Sequence, residues 1–132
     1  MLNLIKSKKG SLTLVFFYYV ISFYLAYLFT KTLDLDGWLL LLVWHITATI
    51  IIFLFSKIHN NSSIYDPFWH VAPIPIVFYI ASQSSLSNLQ QSLVLSAFLF
   101  WALRLTYNWF LNWTNLDHED FRYIDLKNNN KL

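Results

Sequence analysis

Long apolar runs separated by short polar connections constrain this chain more than any other feature. Four such runs follow one another, at Leu12–Thr30, Trp38–Ser56, Pro67–Ser82 and Leu93–Trp113. Each approaches the ~20 residues that a helix needs to cross a bilayer. Only 12% of the residues are charged and 57% are hydrophobic, about half the charge of an ordinary soluble domain. Inside a membrane every backbone N–H and C=O must find a partner within the protein, so runs of this length specify helices. The expected fold is therefore all-α: an integral membrane bundle of four spans, with residues 1–11 and 114–132 outside the bilayer. The Lys6–Lys9 cluster before an apolar run could suggest a secretory signal. That run is too long for one, and no small-x-small site closes it, so it reads as a retained first span.

The cations give the orientation. Lys6, Lys8 and Lys9 precede the first span, Lys57 follows the second, and Arg122, Lys127 and Lys131 follow the fourth. The remaining connections carry only Lys31, beside Asp34 and Asp36. Positive residues stay on the cytoplasmic side, which places both termini there, in a bacterial cytoplasmic membrane or the endoplasmic reticulum. The stretches around Tyr65–Trp69 and Arg104–Tyr123 then share that side.

Several segments carry finer expectations. Asp66-Pro67 is a helix-start pair, with the Asp side chain as cap and Pro at the first position. Pro73 and Pro75 should kink or unwind the third span, and a broken membrane helix turns towards protein or a wet cavity. The uncharged polar stretch Ala81–Gln91 reads as a loop. Near the end of the fourth span, Arg104, Asn108 and Asn112 recur every four residues on one face, which should look into the bundle. Ala102, Thr106, Trp109 and Trp113 lie on another face, expected towards lipid. Asp117 is expected to cap a short helix with Glu119 and Asp120 in its first turn, ahead of a fraying polar tail KNNNKL.

The chemistry is bounded by what is missing. Cysteine is absent, and Gly10 and Gly37 are the only glycines, so there is neither a thiolate metal site nor a glycine-rich phosphate loop. His45, His59, His70 and His118 have no metal-ligand spacing, and no metal is expected. Glu119 is the only glutamate, which excludes a paired-glutamate acid/base site. A net charge of +2 without a basic stripe excludes nucleic acid as a partner. His45 is an ionisable residue at membrane depth, a candidate for the wall of a substrate cavity or for a bond to a neighbouring helix. There remains the cluster Arg104, Asn108, Asp117, His118, Glu119, Asp120, Arg122 and Tyr123. Arginine can pair with phosphate, and carboxylates can accept from ribose hydroxyls, so this mix suits a nucleotide. It equally suits a solvated, salt-bridged helix end.

Three motifs in one order bring a resemblance. YDPFWHVAP at Tyr65–Pro73, RLTYNW at Arg104–Trp109 and HEDFRY at His118–Tyr123 resemble the membrane proteins related to steroid 5-alpha-reductases. His70 stands where those usually carry Ser, and Phe121 where they carry Trp. The resemblance implies a multi-pass enzyme that binds NADPH from the cytoplasmic side and reduces a C=C bond conjugated to a carbonyl in a lipophilic small molecule. It implies that Arg104, Asn108, Asp117, His118, Glu119, Asp120, Arg122 and Tyr123 hold the cofactor and that Asp66 and Trp69 line the substrate cavity; His45 is a candidate for that cavity from its membrane depth alone. Negative charge develops on the carbonyl oxygen in such a reaction, and Tyr65 is the expected donor to it. Relatives of this kind continue beyond HEDxRY into further helices bearing an SRHPNYxGE-like region. The chain is thus expected to be the N-terminal half of the family fold, completed by a second chain or incomplete. The alternatives are a non-catalytic multi-pass membrane protein and a methyltransferase-like relative.

Overall fold

The computed structural model describes residues 5–129. Lys131, counted in the charge asymmetry, and the last three residues of the polar tail lie outside the described residues. The chain folds as two compact units, one made of the chain up to Asp66 and from Trp113 onward, the other of Pro67–Asn112. Among the described residues the structure is helical and contains no strand.

The first unit is built on a helical hairpin of α1 (Lys8–Thr32) and α2 (Gly37–Ile58). Both are longer than their apolar runs by a few polar residues at the ends. Ser7 caps α1 by accepting from the Gly10 N–H at 3.1 Å. The turn between the helices takes Asp34 and Gly37 to φ 48° and 52°. Glycine adopts that left-handed backbone without a Cβ penalty. The seam is lined by small side chains: Ser22, Ala26 and Thr30 on α1 and Ala48 on α2 are buried. Small residues let membrane helices approach closely, where packing and not the hydrophobic effect holds them together. Aromatic contacts extend the seam, with Tyr18 stacked on Phe55 at 4.2 Å between centroids. The outer faces are apolar, with Phe16, Phe17, Leu42, Phe53 and Leu54 exposed. Such a hairpin is built for lipid surroundings.

After α2 the chain makes a 3₁₀ turn, Ser62–Ile64. The Tyr19 hydroxyl donates to the Ile64 carbonyl at 3.0 Å and fixes this turn on α1. The segment returning at Trp113 docks on the start of α1. The Trp113 indole N–H donates to Ser11 Oγ at 2.9 Å, and the Leu116 N–H donates to the Ile5 carbonyl at 3.2 Å.

The second unit contains α3 (Phe68–Val71), α4 (Pro73–Gln83) and α5 (Asn88–Asn112). The break falls at Ala72, immediately before Pro73, as the missing N–H and the clash of proline with the preceding turn require. Both short helices pack on α5. The loop between α4 and α5 is only residues 84–87, because Asn88–Gln91, expected as loop, opens α5.

The faces of α5 are the reverse of those expected. Ala102 is fully buried and Thr106 meets His70, with Oγ1 2.9 Å from Nδ1. Thr106 already gives its hydrogen to the Ala102 carbonyl at 2.9 Å, so the imidazole Nδ1 is the donor. Trp113 is buried in the first unit, while Arg104, Asn108 and Asn112 are exposed. The small side chains, and not the polar stripe, form the packing surface, because they admit α3 closely.

Among the described residues, three helices are long and apolar enough to cross a membrane: α1, α2 and α5. The expected third span is instead divided between α3 and α4. Eleven residues of α4 rise ~16 Å, short of a ~30 Å hydrocarbon core.

Candidate functional site

The polar residues of the first unit meet where the 3₁₀ turn faces the segment after Trp113. Asn61 initiates the contact. It is 1% exposed, and its Nδ2 donates to the carbonyls of Leu116 at 2.8 Å and His118 at 3.1 Å. Its Oδ1 accepts from the Ser63 N–H at 3.0 Å. Ser63 Oγ in turn accepts from the Asp120 N–H at 2.9 Å. Loop against loop offers no ladder of its own, so side chains satisfy the buried backbone.

Three carboxylates then close the clasp. Glu119, 9% exposed, accepts from the Ser62 N–H at 2.6 Å and pairs with Lys127 at 2.7 Å. Burial works against its charge, but Lys127 and Ser62 outweigh this and hold the carboxyl below its usual range. Asp120 takes both Nε and Nη2 of Arg122, at 2.9 and 3.0 Å, and lies below its usual value because of that pairing. Asp66 accepts a short hydrogen bond from the Tyr123 hydroxyl, and Arg122 stands 3.8 Å from its other oxygen. Burial raises the Asp66 carboxyl although the tyrosine and arginine oppose it. Burial, and then the bond to Asp66, push the Tyr123 phenol upward, so it remains a protonated donor at neutral pH.

Several expectations on caps are thereby corrected. Asp66 does not cap a helix: Pro67 stands at the start of α3, and the Asp66 carboxylate serves Tyr123 and Arg122. The short terminal helix α6 runs Phe121–Asn129, one turn later than expected. Its cap is Asp120, not Asp117: Oδ1 accepts from the Arg122 N–H at 2.9 Å. Glu119 precedes the helix. Lys127, assigned to a fraying tail, sits in α6 and reaches back to Glu119 and to the Asn60 carbonyl at 3.2 Å.

The structure thus brings together Tyr65, Asp66, Glu119, Asp120, Arg122 and Tyr123. Asp117 and His118 lie on the same loop, exposed. Trp69, Arg104 and Asn108 belong to the second unit, where all three are exposed. His45 lies inside α2, half-buried and apart from the clasp. Asn61, Ser62, Ser63 and Lys127 were not anticipated.

Beside the clasp lies a cavity of ≈ 320 Å³, lined by Thr49, Phe53, Ser56, Ser62, Tyr65 and Tyr123. Its lining combines the last turns of α2 with two phenols. An apolar recess with convergent hydroxyls is the usual form of a small-molecule site. Arg122 is 62% exposed and uses only part of its five N–H donors on Asp120. Its outward face can pair with an anionic oxygen.

One protein family, described as Protein of unknown function (DUF1295), matches residues 52–131, more than half of the chain. The match takes in the end of α2, the 3₁₀ turn, the whole second unit and the clasp. No curated protein and no solved structure matches the chain.

Proposed function

The chain belongs to the DUF1295 family, which is related to the steroid 5-alpha-reductase-like proteins, and from that premise we propose that it supplies part of a membrane-embedded, NADPH-dependent reductase acting on a lipophilic enone. The observation that carries this reading is the convergence of Tyr65 and Asp66 with Glu119–Tyr123 around one clasp beside an apolar cavity. NADPH, when bound, supplies the hydride that adds to the far carbon of the C=C bond. In such a reaction the hydroxyl of Tyr65 would donate to the carbonyl oxygen, where negative charge would develop. A proton from solvent completes the neighbouring carbon.

The residues fit the cofactor in part. Arg122 suits one phosphate oxygen, and Asp117, exposed on the clasp loop, suits ribose hydroxyls. Among the described residues, the ion pairs of Asp66, Glu119 and Asp120 are made by Arg122 and Lys127, so a dinucleotide needs further cations. A second segment or chain bearing an SRHPNY-like region is the proposed source. Detergent-purified protein should bind NADPH saturably and lose affinity about 10-fold on Arg122→Ala, as expected for a charge-assisted pair. Absence of binding at millimolar NADPH refutes the reading for this chain.

A second reading has its own support. Asp66, Glu119, Asp120 and Asn61 are all engaged inside the protein, as in a purely structural clasp. Such a clasp would leave NADPH unbound and would co-purify with a partner.

The membrane topology we propose is four spans with both termini cytoplasmic. The bonds from Trp113 to Ser11 and from Leu116 to Ile5 place the chain after α5 beside the start of α1. An even number of crossings must then separate those points. α1, α2 and α5 account for three, so the α3–α4 leg, packed along α5, is the fourth. Reporter fusions after Asn60 and after Ser85 should localise to opposite faces; a shared face refutes four spans.

A further inference from the structure

The cavity beside the clasp adjoins a second of ≈ 250 Å³, lined by Phe53, Ser56, Lys57, Asn60, Ser62 and Lys127. Phe53, Ser56 and Ser62 line both. One end is therefore apolar and aromatic, the other cationic, with a serine at the junction. Ser56 is 5% exposed, and its hydroxyl has no hydrogen-bond partner among the described residues. A buried hydroxyl left without a partner is unfavourable, so a bound group that satisfies it is favoured.

The two lysines differ. Lys127 is neutralised by Glu119 and also held by Asn60. Lys57 is exposed, with no carboxylate within ion-pair distance among the described residues. It lies in the last turn of α2, one of the helices able to cross a membrane, where a headgroup would meet it. Phe53 is exposed one turn earlier and continues the apolar side. The room suits one headgroup oxygen cluster and the start of one chain, not a whole phospholipid.

We propose that the two cavities form one site for an anionic single-chain amphiphile, with its phosphate at Lys57 and the Ser56 hydroxyl and its chain along Thr49 and Phe53. The apolar half of the site favours a lipid over a free phosphate ion. The site does not depend on the reductase reading, and its test needs no nucleotide.

The test is calorimetric titration of the full chain in maltoside micelles with n-dodecyl phosphate, n-dodecanol and inorganic phosphate, in the absence of NADPH. Saturable 1:1 binding of dodecyl phosphate, at least 10-fold tighter than either of the others, supports the site. Lys57→Gln should weaken it at least 5-fold and Ser56→Ala at least 3-fold, both retaining the parent's far-UV spectrum and elution volume. Lys57 is solvent-exposed, and Ser56→Ala removes an unpaired group, so neither change threatens the fold. Equal affinity for dodecanol reduces the site to an apolar groove. Equal affinity for inorganic phosphate makes it a free-ion site. Unchanged binding in both folded variants places the lipid elsewhere. Each of these results overturns the proposal.

Discussion

Replacing Asn61 by alanine tests whether the clasp is held by specific hydrogen bonds. The side chain is fully enclosed and makes three: two donated, to the Leu116 and His118 carbonyls, and one accepted, from the Ser63 N–H. Alanine removes the partner of all three backbone groups, of which the Leu116 carbonyl and the Ser63 N–H are buried. Each lost bond costs ~0.5–1.5 kcal/mol net, and a partner left buried costs up to ~3 kcal/mol. Leu116 is buried while His118 is exposed, so the Leu116 carbonyl bears the full penalty and the His118 carbonyl a smaller one. The sum is ~2–5 kcal/mol, which corresponds to a rise of ~30-fold to several thousand-fold in the open population of the clasp. Helices α1 and α2 keep their own seam, so global unfolding is a poor reporter. Amide exchange is a good one, because the Leu116 N–H is bound to Ile5 and the Asp120 N–H to Ser63 Oγ. Exchange at these two amides should accelerate at least 30-fold in Asn61→Ala, while the amides in mid-α2 stay unchanged. Acceleration under 3-fold refutes the assignment of the clasp to Asn61.

Three further outcomes are expected. Trp113→Phe removes the buried bond to Ser11 and should destabilise the first unit by ~1 kcal/mol in thermal melts, since Ser11 keeps its own bond to the Lys8 carbonyl. Gly37→Ala meets no atom within 4 Å yet places a Cβ at φ +52°, so a loss of ~1 kcal/mol should come from backbone strain alone. The Glu119 carboxyl lies below its unfolded value of 4.5, so its stabilisation is complete above that pH and is lost as pH falls through the depressed value. Asp66, whose carboxyl is raised, acts in the opposite sense. Proteolysis of residues 113–129 should therefore increase below about pH 4.5 in the parent and depend less on pH in Glu119→Gln.

What the sequence made legible follows from length and hydropathy. Apolar runs and a short connection suffice to specify the α1–α2 hairpin, because every backbone group there must bond internally. The break before Pro73 follows from proline itself. The faces of α5 were not legible. In a membrane, lipid-facing and protein-facing surfaces are both apolar, so hydropathy does not separate them, and the polar stripe drew attention away from Ala102 and Thr106. Side-chain volume was the available signal: small residues at Ala102 and Thr106 mark close approach. In the clasp, the pairing of Asp66 with Tyr123 could be anticipated only as proximity of two motifs. Asn61, Ser62 and Ser63 looked like ordinary loop residues, since their roles depend on the Leu116 carbonyl, the Glu119 carboxylate and the Asp120 N–H, all more than 50 positions away. Lys127 was obscured by the low-complexity tail that follows it.

The docking of Trp113–Leu116 on the start of α1 orders events during synthesis. Ser11 and the Ile5 carbonyl emerge from the ribosome among the first residues, but their partners follow more than 100 positions later. Throughout insertion of the intervening helices the first turn of α1 must remain satisfied by water or lipid headgroups. Only when Leu116 arrives does the first unit close, and by then α3, α4 and α5 have been made. The final closure is therefore a contact of very high sequence separation, the kind that forms slowly.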